Sequence, residues 1–460
     1  MNDRLHAIVL AAGQGTRMKS AKPKVLHAVG GTPMLGHVLD TATAAGITQS
    51  HLVLGHGADQ VRDWLSTRPQ GLVRAVIQAE QLGTAHAVSQ AMPEVPDNAV
   101  VVVLYGDVPL ISAATLTALV EAAADGFGLV TVTLDTPRGY GRILRDGHGR
   151  VTGIVEEKDA SEAQRAIREV NTGLIATSAR RLRRWLAHVG NDNANREYYL
   201  TDVVGLAARD GVAIRTITAA AAEEVEGVND PLQLARAERV FQRRQTEALQ
   251  RDGLYLADPA RFDLRGALSI GRDVRIDVGC VIEGRVTLGD GVQVGPYCVL
   301  RDVSIEAGSR IEAYSMLDGS TVGERCVVGP YARLRPGSVL GREAHIGNFV
   351  ELKKTTLGDG SKANHLAYLG DAVIGARVNV GAGVITCNYD GANKFQTTIG
   401  DDAFIGTDSQ LVAPVTIGRG AYIAAGSTIA KDAPEDQLTI NRARDQRSLA
   451  GWRRPVKRQP

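Results

Sequence analysis

The sequence predicts two structural parts in series, an α/β unit with a mostly parallel sheet and then a parallel β-helix. Three observations carry that reading. Short aliphatic runs alternate with helix-patterned segments up to Asn229. A segment rich in Ala, Leu, Gln, Glu and Arg follows the Asn229-Asp230-Pro231 turn. From Leu268 onward the aliphatic period becomes six. Composition agrees, because 51 glycines and only 4% aromatic residues in 460 suit frequent tight turns and narrow interiors.

In the first part, Ala7–Ala12, Leu52–Gly55, Val73–Gln78, Val100–Tyr105 and Leu129–Leu134 read as strands rich in Val, Ile and Leu. Helical patterns at Pro33–Ala45, Asp59–Leu65 and Thr84–Ala91 separate several of them. Strands alternating with helices predict a parallel sheet covered on both faces. Ligands of such sheets bind beyond the carboxyl ends of the strands. This part is expected to span residues 1–229.

Asp230 suits an N-cap and Pro231 the first helical turn, and Gly253 stops the run that follows. One connecting helix over 230–251 is expected, with the second part over 252–460.

In the second part the units read Ile270-Gly271-Arg-Asp-Val274-Arg, Ile276-Asp-Val-Gly-Cys280-Val, Leu288-Gly289-Asp-Gly-Val292-Gln and Val294-Gly295-Pro-Tyr-Cys298-Val. Each six-residue unit forms one flat face whose aliphatic residue points inward, which is the hexapeptide pattern of a parallel β-helix. Cys280, Cys298 and Cys326 all take the fifth, small inward slot, so they read as packing thiols. Thr386–Thr398 breaks the period with an inserted loop, and insertions in a solenoid gather on a binding face.

Bulk properties exclude several classes. A net charge of +1 gives no global field for nucleic acid or an anionic membrane. No apolar stretch approaches the ~18–20 residues needed to span a bilayer, so no membrane insertion is expected. The start MNDRLHAIVLAAG has no leader-like flanks, which makes a cytoplasmic location the expectation. Scattered cysteines without a CxxC argue against a zinc site or a disulfide framework.

Chemistry-bearing strings lie on both parts. After the first strand comes Leu10-Ala11-Ala12-Gly13-Gln-Gly-Thr-Arg17-Met, then Pro23-Lys24. Glycines let backbone N–H groups surround a phosphate, and Arg17 and Lys24 add positive charge. The loop is neither GxGxxG nor a Walker A sequence. The whole string LAAGxGTRMxSxxPKxL resembles the signature of the sugar-1-phosphate nucleotidyltransferases. That resemblance implies a Rossmann-like domain binding UTP. Gln78, Gly83 and Thr84 would meet uracil, with Leu10, Ala11, Ala12, Gly13, Lys24, Tyr105 and Gly106 around the nucleotide. Asp107, in Tyr105-Gly106-Asp107, is the expected carboxylate for Mg²⁺, which prefers hard oxygen ligands and substrate phosphates. The resemblance adds Asn229 as the second metal ligand. It also places Gly141, Glu156, Asn171, Tyr199 and Thr201 on the sugar phosphate.

In the β-helix, Arg335, Glu351, Lys353, His365, Tyr368, Asn379, Asn388 and Tyr389 form a set of polar residues, several at hexad positions. His365 recurs against Asn379 and Asn388 at about the spacing of adjacent coils. Together the two sets of strings resemble the bacterial bifunctional N-acetylglucosamine-1-phosphate uridylyltransferase / glucosamine-1-phosphate N-acetyltransferase family, over nearly the whole chain. The resemblance implies a left-handed β-helix, a homotrimer, and acetyl-CoA as co-substrate beside UTP. It makes His365 the general base, oriented by Glu351. Arg335 and Lys353 would hold the phosphate of glucosamine 1-phosphate, and Tyr368 and Asn379 its sugar. Ala382, Asn388, Tyr389, Thr407, Ala425 and Arg442 would line the acetyl-CoA groove. Cys387 lies beside this site, but direct amine attack on a thioester needs no thiol nucleophile. The second reading left open is a single-function sugar-1-phosphate nucleotidyltransferase whose β-helix is only a scaffold.

Overall fold

The computed structural model describes residues 4–68, 73–124 and 126–441, so Arg442 lies outside the described residues. The chain falls into two compact units that divide between Phe241 and Gln242.

The first unit is built on β1 (Leu5–Ala11), β2 (Gln49–Leu54), β3 (Val73–Ile77), β4 (Val100–Tyr105), β5 (Phe127–Thr133), β6 (Arg142–Arg145), β7 (Val151–Val155), β8 (Glu169–Ser178) and β9 (Ile214–Thr218). The sheet order is β9-β5-β8-β4-β1-β2-β3, with β6 pairing β8 and β7. β1 runs parallel to β2 and β4, and β9 parallel to β5. β8 is antiparallel to both neighbours, and β6–β7 is an antiparallel hairpin. The aliphatic runs follow from burial on both faces. Ala7 and Val9 of β1 join one core with Leu35, Val38 and Leu116. Ile8 between them joins the other with Val88, Leu182 and Val203. Each fully buried Val, Leu or Ile among them contributes about 1.5–3 kcal/mol.

The helix Pro231–Arg251 runs where one connecting helix is expected, but the division between units falls inside it. Its C-terminal half belongs to the second unit and closes the solenoid. Gln242 Nε2 donates to the Leu264 carbonyl at 2.9 Å, and Gln242 Oε1 accepts from the Leu264 N–H at 2.8 Å. Leu264 lies on Asp263–Ile270, the first strand of its sheet, whose outer edge would otherwise present unpaired backbone groups.

The β-helix consists of all-parallel sheets of 11 and 17 strands among the described residues. One aliphatic residue per rung fills the interior, including Ile276, Val294, Ile311, Val328 and Ile346. Cys280, Cys298 and Cys326 are buried in that column of side chains, and burial pushes the Cys326 thiol up to about 11. Successive coils advance by 17 or 18 residues, as in Gln293 beside Arg310 and Arg275 beside Gln293. Asn379 instead pairs with Phe404, 25 positions on, because the loop after Thr386 is looped out.

Candidate active sites

The carboxyl ends of β1 and β4 lie side by side in the first unit, and a cavity of about 300 Å³ opens beyond them. Leu10, Ala11, Ala12, Gly13, Lys24, Gln78, Gly83, Thr84, Tyr105 and Asp107 line it. Gly15 has φ 61°, and a Cβ there would stand 2.8 Å from Lys24 Cβ, so only glycine lets Lys24 cross this loop. The Lys24 ammonium donates to Asp107 Oδ2 and, at 3.0 Å, to Asn229 Oδ1. The Asp107 carbonyl accepts from Val228 N–H at 2.8 Å, which ties the Asn229 segment to the end of β4. Gly106, also at that strand end, donates its N–H to the Leu10 carbonyl at 2.9 Å.

Gln78 is buried, and its Nε2 lies 3.3 Å from the Gly83 carbonyl and 3.0 Å from His86 Nδ1. Both contacts use the amide N–H₂, leaving Oε1 as an acceptor. At Gly83, φ is 120°, and a Cβ would stand 2.6 Å from the Tyr198 carbonyl oxygen. That approach lets Leu82 and Ala85 bond to Tyr198, while Leu200 N–H donates to Thr84 Oγ1 at 2.9 Å. The segment carrying Tyr199 and Thr201 is thereby fixed against the helix Thr84–Ala91.

Tyr105 lines a second, smaller space with Asn171 and Thr201. Thr201 in turn lines a cavity of about 320 Å³ with Glu156 and Tyr199. Thr201 Oγ1 donates to Glu156 Oε1 at 3.0 Å, and burial holds the Glu156 carboxyl above its ordinary range against that bond. The Gly141 carbonyl accepts from Asn171 N–H at 2.8 Å, and a Cβ at Gly141 would lie 3.4 Å from both Glu156 oxygens. Burial also pushes the Tyr105 phenol up, aided by Asp107 and Glu156. Arg17 is the predicted residue left out. It is exposed on the turn Thr16–Met18 and does not line the cavity.

Asp107 and Asn229 present two hard oxygens to one ammonium, a donor set that suits a divalent cation with substrate phosphates completing its shell. Among the described residues no group of three or more His, Cys, Asp or Glu side chains stands ready to hold a metal by itself.

In the second unit, strand register places the polar residues. His345, Lys362, Asn379, Phe404 and Tyr422 are partners on successive coils. Three positions on, Asn348, His365, Ala382, Thr407 and Ala425 occupy equivalent places. His365 therefore sits at the foot of a column of small residues. Asn379 belongs with Lys362 instead, which corrects the expectation that His365 and Asn379 are coil neighbours.

Glu351 is not the group bonded to His365 Nδ1. It lies on Glu351–Lys353 in the 17-stranded sheet, whereas His365 ends Lys362–His365 in the 11-stranded one. Glu351 Oε1 accepts from Arg335 at 2.9 Å. His365 Nδ1 instead lies 2.8 Å from Asn348 Oδ1, its register partner one coil below. The contact at Nδ1 thus comes from Asn348, where the resemblance implies Glu351 as the orienting residue.

Lys353 donates to Asp371 Oδ2 at 3.1 Å, and the buried Asn388 donates its Nδ2 to the same oxygen. A Cβ at Gly370 would stand 2.5 Å from Tyr368 Oη and 2.7 Å from Asn388 Nδ2, so the three residues crowd one point. Tyr389 is 58% exposed, on the inserted loop, and donates to the Gly391 carbonyl at 2.7 Å. Burial raises the Cys387 thiol above its ordinary value, which disfavours the nucleophilic thiolate. Asn348 and Asp371 escaped the sequence reading. Counting three positions past each rung partner marks Asn348; nothing in the string Leu-Gly-Asp371 marks the carboxylate.

Comparison with known proteins covers both units. A family model described as a MobA-like NTP transferase domain matches residues 7–199. A GMPPB C-terminal domain matches 264–357, and bacterial transferase hexapeptide repeats match 396–431. A protein of Alkalilimnicola ehrlichii named bifunctional protein GlmU is 57% identical over 458 residues, covering 100% of this chain and 98% of its own. Proteins of the same name from Aromatoleum aromaticum and Bordetella parapertussis are 56% and 57% identical. They cover 99% of this chain and 99% and 100% of their own.

Proposed function

The chain belongs to the family of the bifunctional protein GlmU, and on that premise we propose how its two units divide the work. It is an enzyme of UDP-N-acetylglucosamine biosynthesis. It acetylates glucosamine 1-phosphate with acetyl-CoA, then transfers uridylyl from UTP to N-acetylglucosamine 1-phosphate with release of pyrophosphate. The observation that carries this is that the likeness covers the whole chain and so both units. A β-helix serving only as a scaffold would leave the polar set around His365, Lys353 and Asn388 without a task.

In the first unit we assign the cavity beyond β1 and β4 to UTP. Gln78 Oε1 would accept the uracil N3–H, an atom cytosine does not offer. The main chain from Leu10 to Gly13 takes the phosphates, with the Lys24 ammonium moving from Asp107 to phosphate oxygen. Asp107 and Asn229 would hold a divalent cation, which we assign as Mg²⁺; it supplies charge neutralisation to the phosphates. Glu156, Asn171, Tyr199 and Thr201 would hold the N-acetylglucosamine 1-phosphate, whose phosphate oxygen attacks the α-phosphorus in line while pyrophosphate leaves. Arg17, on the neighbouring turn, would add positive charge near the phosphates. The protein positions and neutralises, and no side-chain nucleophile is needed.

In the second unit the Ala382-Thr407-Ala425 column suits the extended arm of acetyl-CoA, with Asn388, Tyr389 and Arg442 around it. Arg335 and Lys353 would hold the sugar phosphate, and Tyr368 and Asn379 the sugar. His365 takes the proton from the attacking amine as its nitrogen bonds the acetyl carbon and the C–S bond breaks.

We further assign a cytoplasmic homotrimer. No described helix is long and apolar enough to cross a membrane. The exposed stack Tyr297, Tyr314, Tyr331 and Phe349, with ring centroids 5.0–5.4 Å apart, supports burial against another copy. Two assays test the reading: thiol release from acetyl-CoA with glucosamine 1-phosphate, and pyrophosphate release from UTP with N-acetylglucosamine 1-phosphate. Chelation should stop only the second. Absence of thiol release from the purified protein would overturn the bifunctional reading.

A further inference from the structure

We propose that Asn348 is the positioning residue that fixes the tautomer of His365 in the acetyl-transfer site, a role that rests on the acetyltransferase reading above. The geometry is specific. Asn348 and His365 are register partners on adjacent coils, and the Leu366 N–H donates to the Asn348 carbonyl at 3.1 Å. The backbone is thus tied where the side chains meet. The amide oxygen of Asn348 lies 2.8 Å from His365 Nδ1. An oxygen there accepts, so the imidazole proton sits on Nδ1 and the lone pair on Nε2. That leaves Nε2 as the basic nitrogen, which is the arrangement a general base needs.

The column above His365 makes the same point from the substrate side. Ala382, Thr407 and Ala425 continue the line of Asn348 and His365 upward with small side chains. None of them offers an imidazole partner large enough to reach Nδ1 from above. The orienting contact therefore comes from below. In the transfer, the amine nitrogen of the sugar bonds the thioester carbon, the C–S bond breaks, and the amine proton passes to Nε2. The proton then goes to the departing thiolate, giving the amide and the free thiol. Throughout, Nδ1–H stays on the Asn348 oxygen, and an amide oxygen stabilises the transient imidazolium without removing its proton.

The other charged and titratable groups along this face are Lys362 on the strand of His365, His345 on the coil below, and Arg310 and Glu312 on lower coils. Burial, Lys362, Arg310 and His365 hold the His345 imidazole below its ordinary value, with Glu312 opposing. His345 therefore stays neutral near pH 7, and no carboxylate on the Lys362–His365 strand competes with Asn348 for Nδ1.

The test uses the full-length protein with Asn348→Ala and Asn348→Asp, reading both activities. Asn348→Ala should lower kcat for acetyl transfer about tenfold to a hundredfold, with KM for the sugar changed less than about threefold. Asn348→Asp keeps an acceptor at the same place and should retain most of the activity. Its carboxylate favours imidazolium, so the acidic limb of the kcat/KM profile should move up by about one pH unit. The sugar's own ammonium titrates alike in every variant and cancels in the comparison. Pyrophosphate release from UTP should be unchanged in both and reports folding. The proposal is overturned if Asn348→Ala keeps full kcat, or if Asn348→Asp loses activity as the Ala variant does without moving the limb. A wild-type protein that releases no thiol would sink the acetyltransferase reading instead.

Discussion

Asp107→Asn tests the first unit most directly. The substitution is isosteric, and the Lys24 ammonium keeps its 3.0 Å bond to Asn229 Oδ1. The Asp107 main chain also keeps the Val228 N–H bond at 2.8 Å. The site's shape should therefore survive, and only the negative charge is lost. Asp107 and Lys24 have side chains 18% and 13% exposed, so that charge acts in a partly desolvated setting. A preorganised charged group at a phosphoryl-transfer site contributes about 3–4 kcal/mol, or 10²–10³ in rate. Pyrophosphate release should fall by at least about a hundredfold. Thiol release should stay within about twofold, because His365 and its partners belong to the other unit. The paired assay on one preparation, with thermal unfolding as a folding check, reads both. His365→Ala should give the mirror image. A folded Asp107→Asn protein that loses both activities, or neither, would refute the division of labour.

Gly370→Ala should lower acetyl transfer at least about tenfold while sparing uridylyl transfer, since its Cβ would stand 2.5 Å from Tyr368 Oη; steady-state thiol release reads it. Gln242→Ala leaves the buried Leu264 N–H without its acceptor and the carbonyl dependent on Gln245 at 3.2 Å. It should cost about 1–3 kcal/mol in urea unfolding of the β-helix signal. Stability should also fall in acid through His51, whose side chain is 2% exposed on β2 with His6 at 3.0 Å. Burial first, then His6 and Arg74, depress its folded pKa, with Glu94 opposing. A depressed His binds fewer protons folded than unfolded, so its stabilisation is present above about 6.5 and is lost as pH falls below it. The slope of melting temperature between pH 7 and 5 should flatten in His51→Asn.

Strands buried on both faces announce themselves as unbroken aliphatic runs, which is why β1, β2, β4 and β5 were legible; β3 was legible from its composition although it is largely exposed, and the helix Ala113–Ala124 was missed. β6, β7, β8 and β9 were not. β6–β7 is a hairpin with exposed positions such as Thr152, and β9 is half-exposed, so neither carries a continuous apolar run. The hexads gave the β-helix directly, because each rung must return an aliphatic residue to a narrow interior. The site was legible wherever backbone chemistry or a motif imposed a residue, as at Gly15, Lys24 and Asp107. At Glu351 the resemblance implied the orienting residue, whereas the strand register puts Asn348 against His365 Nδ1 and Glu351 beside Tyr368.

The two scaffolds suit their two chemistries for a physical reason. Uridylyl transfer must bring a polyphosphate, a sugar phosphate and positive charge to one point. The first unit answers with strand ends and loops that bond to one another, Leu82 and Ala85 to Tyr198 and Asp107 to Val228, so that groups from distant parts of the chain converge. Acetyl transfer must instead lay a long thioester beside a base. A solenoid supplies that by repetition, since every coil returns a side chain to the same line. Small residues stand at three successive returns, and Asn348 and His365 stand at the two returns below, which is the line along which we propose the thioester lies. The same periodicity explains the cost of the inserted loop after Thr386. It breaks the count along the chain but not the line, because Phe404 still pairs with Asn379 and Thr407 still stands over Ala382. The added residues, Asn388 and Tyr389 among them, leave the solenoid between Ile385–Cys387 and Thr397–Ile399 without displacing a rung.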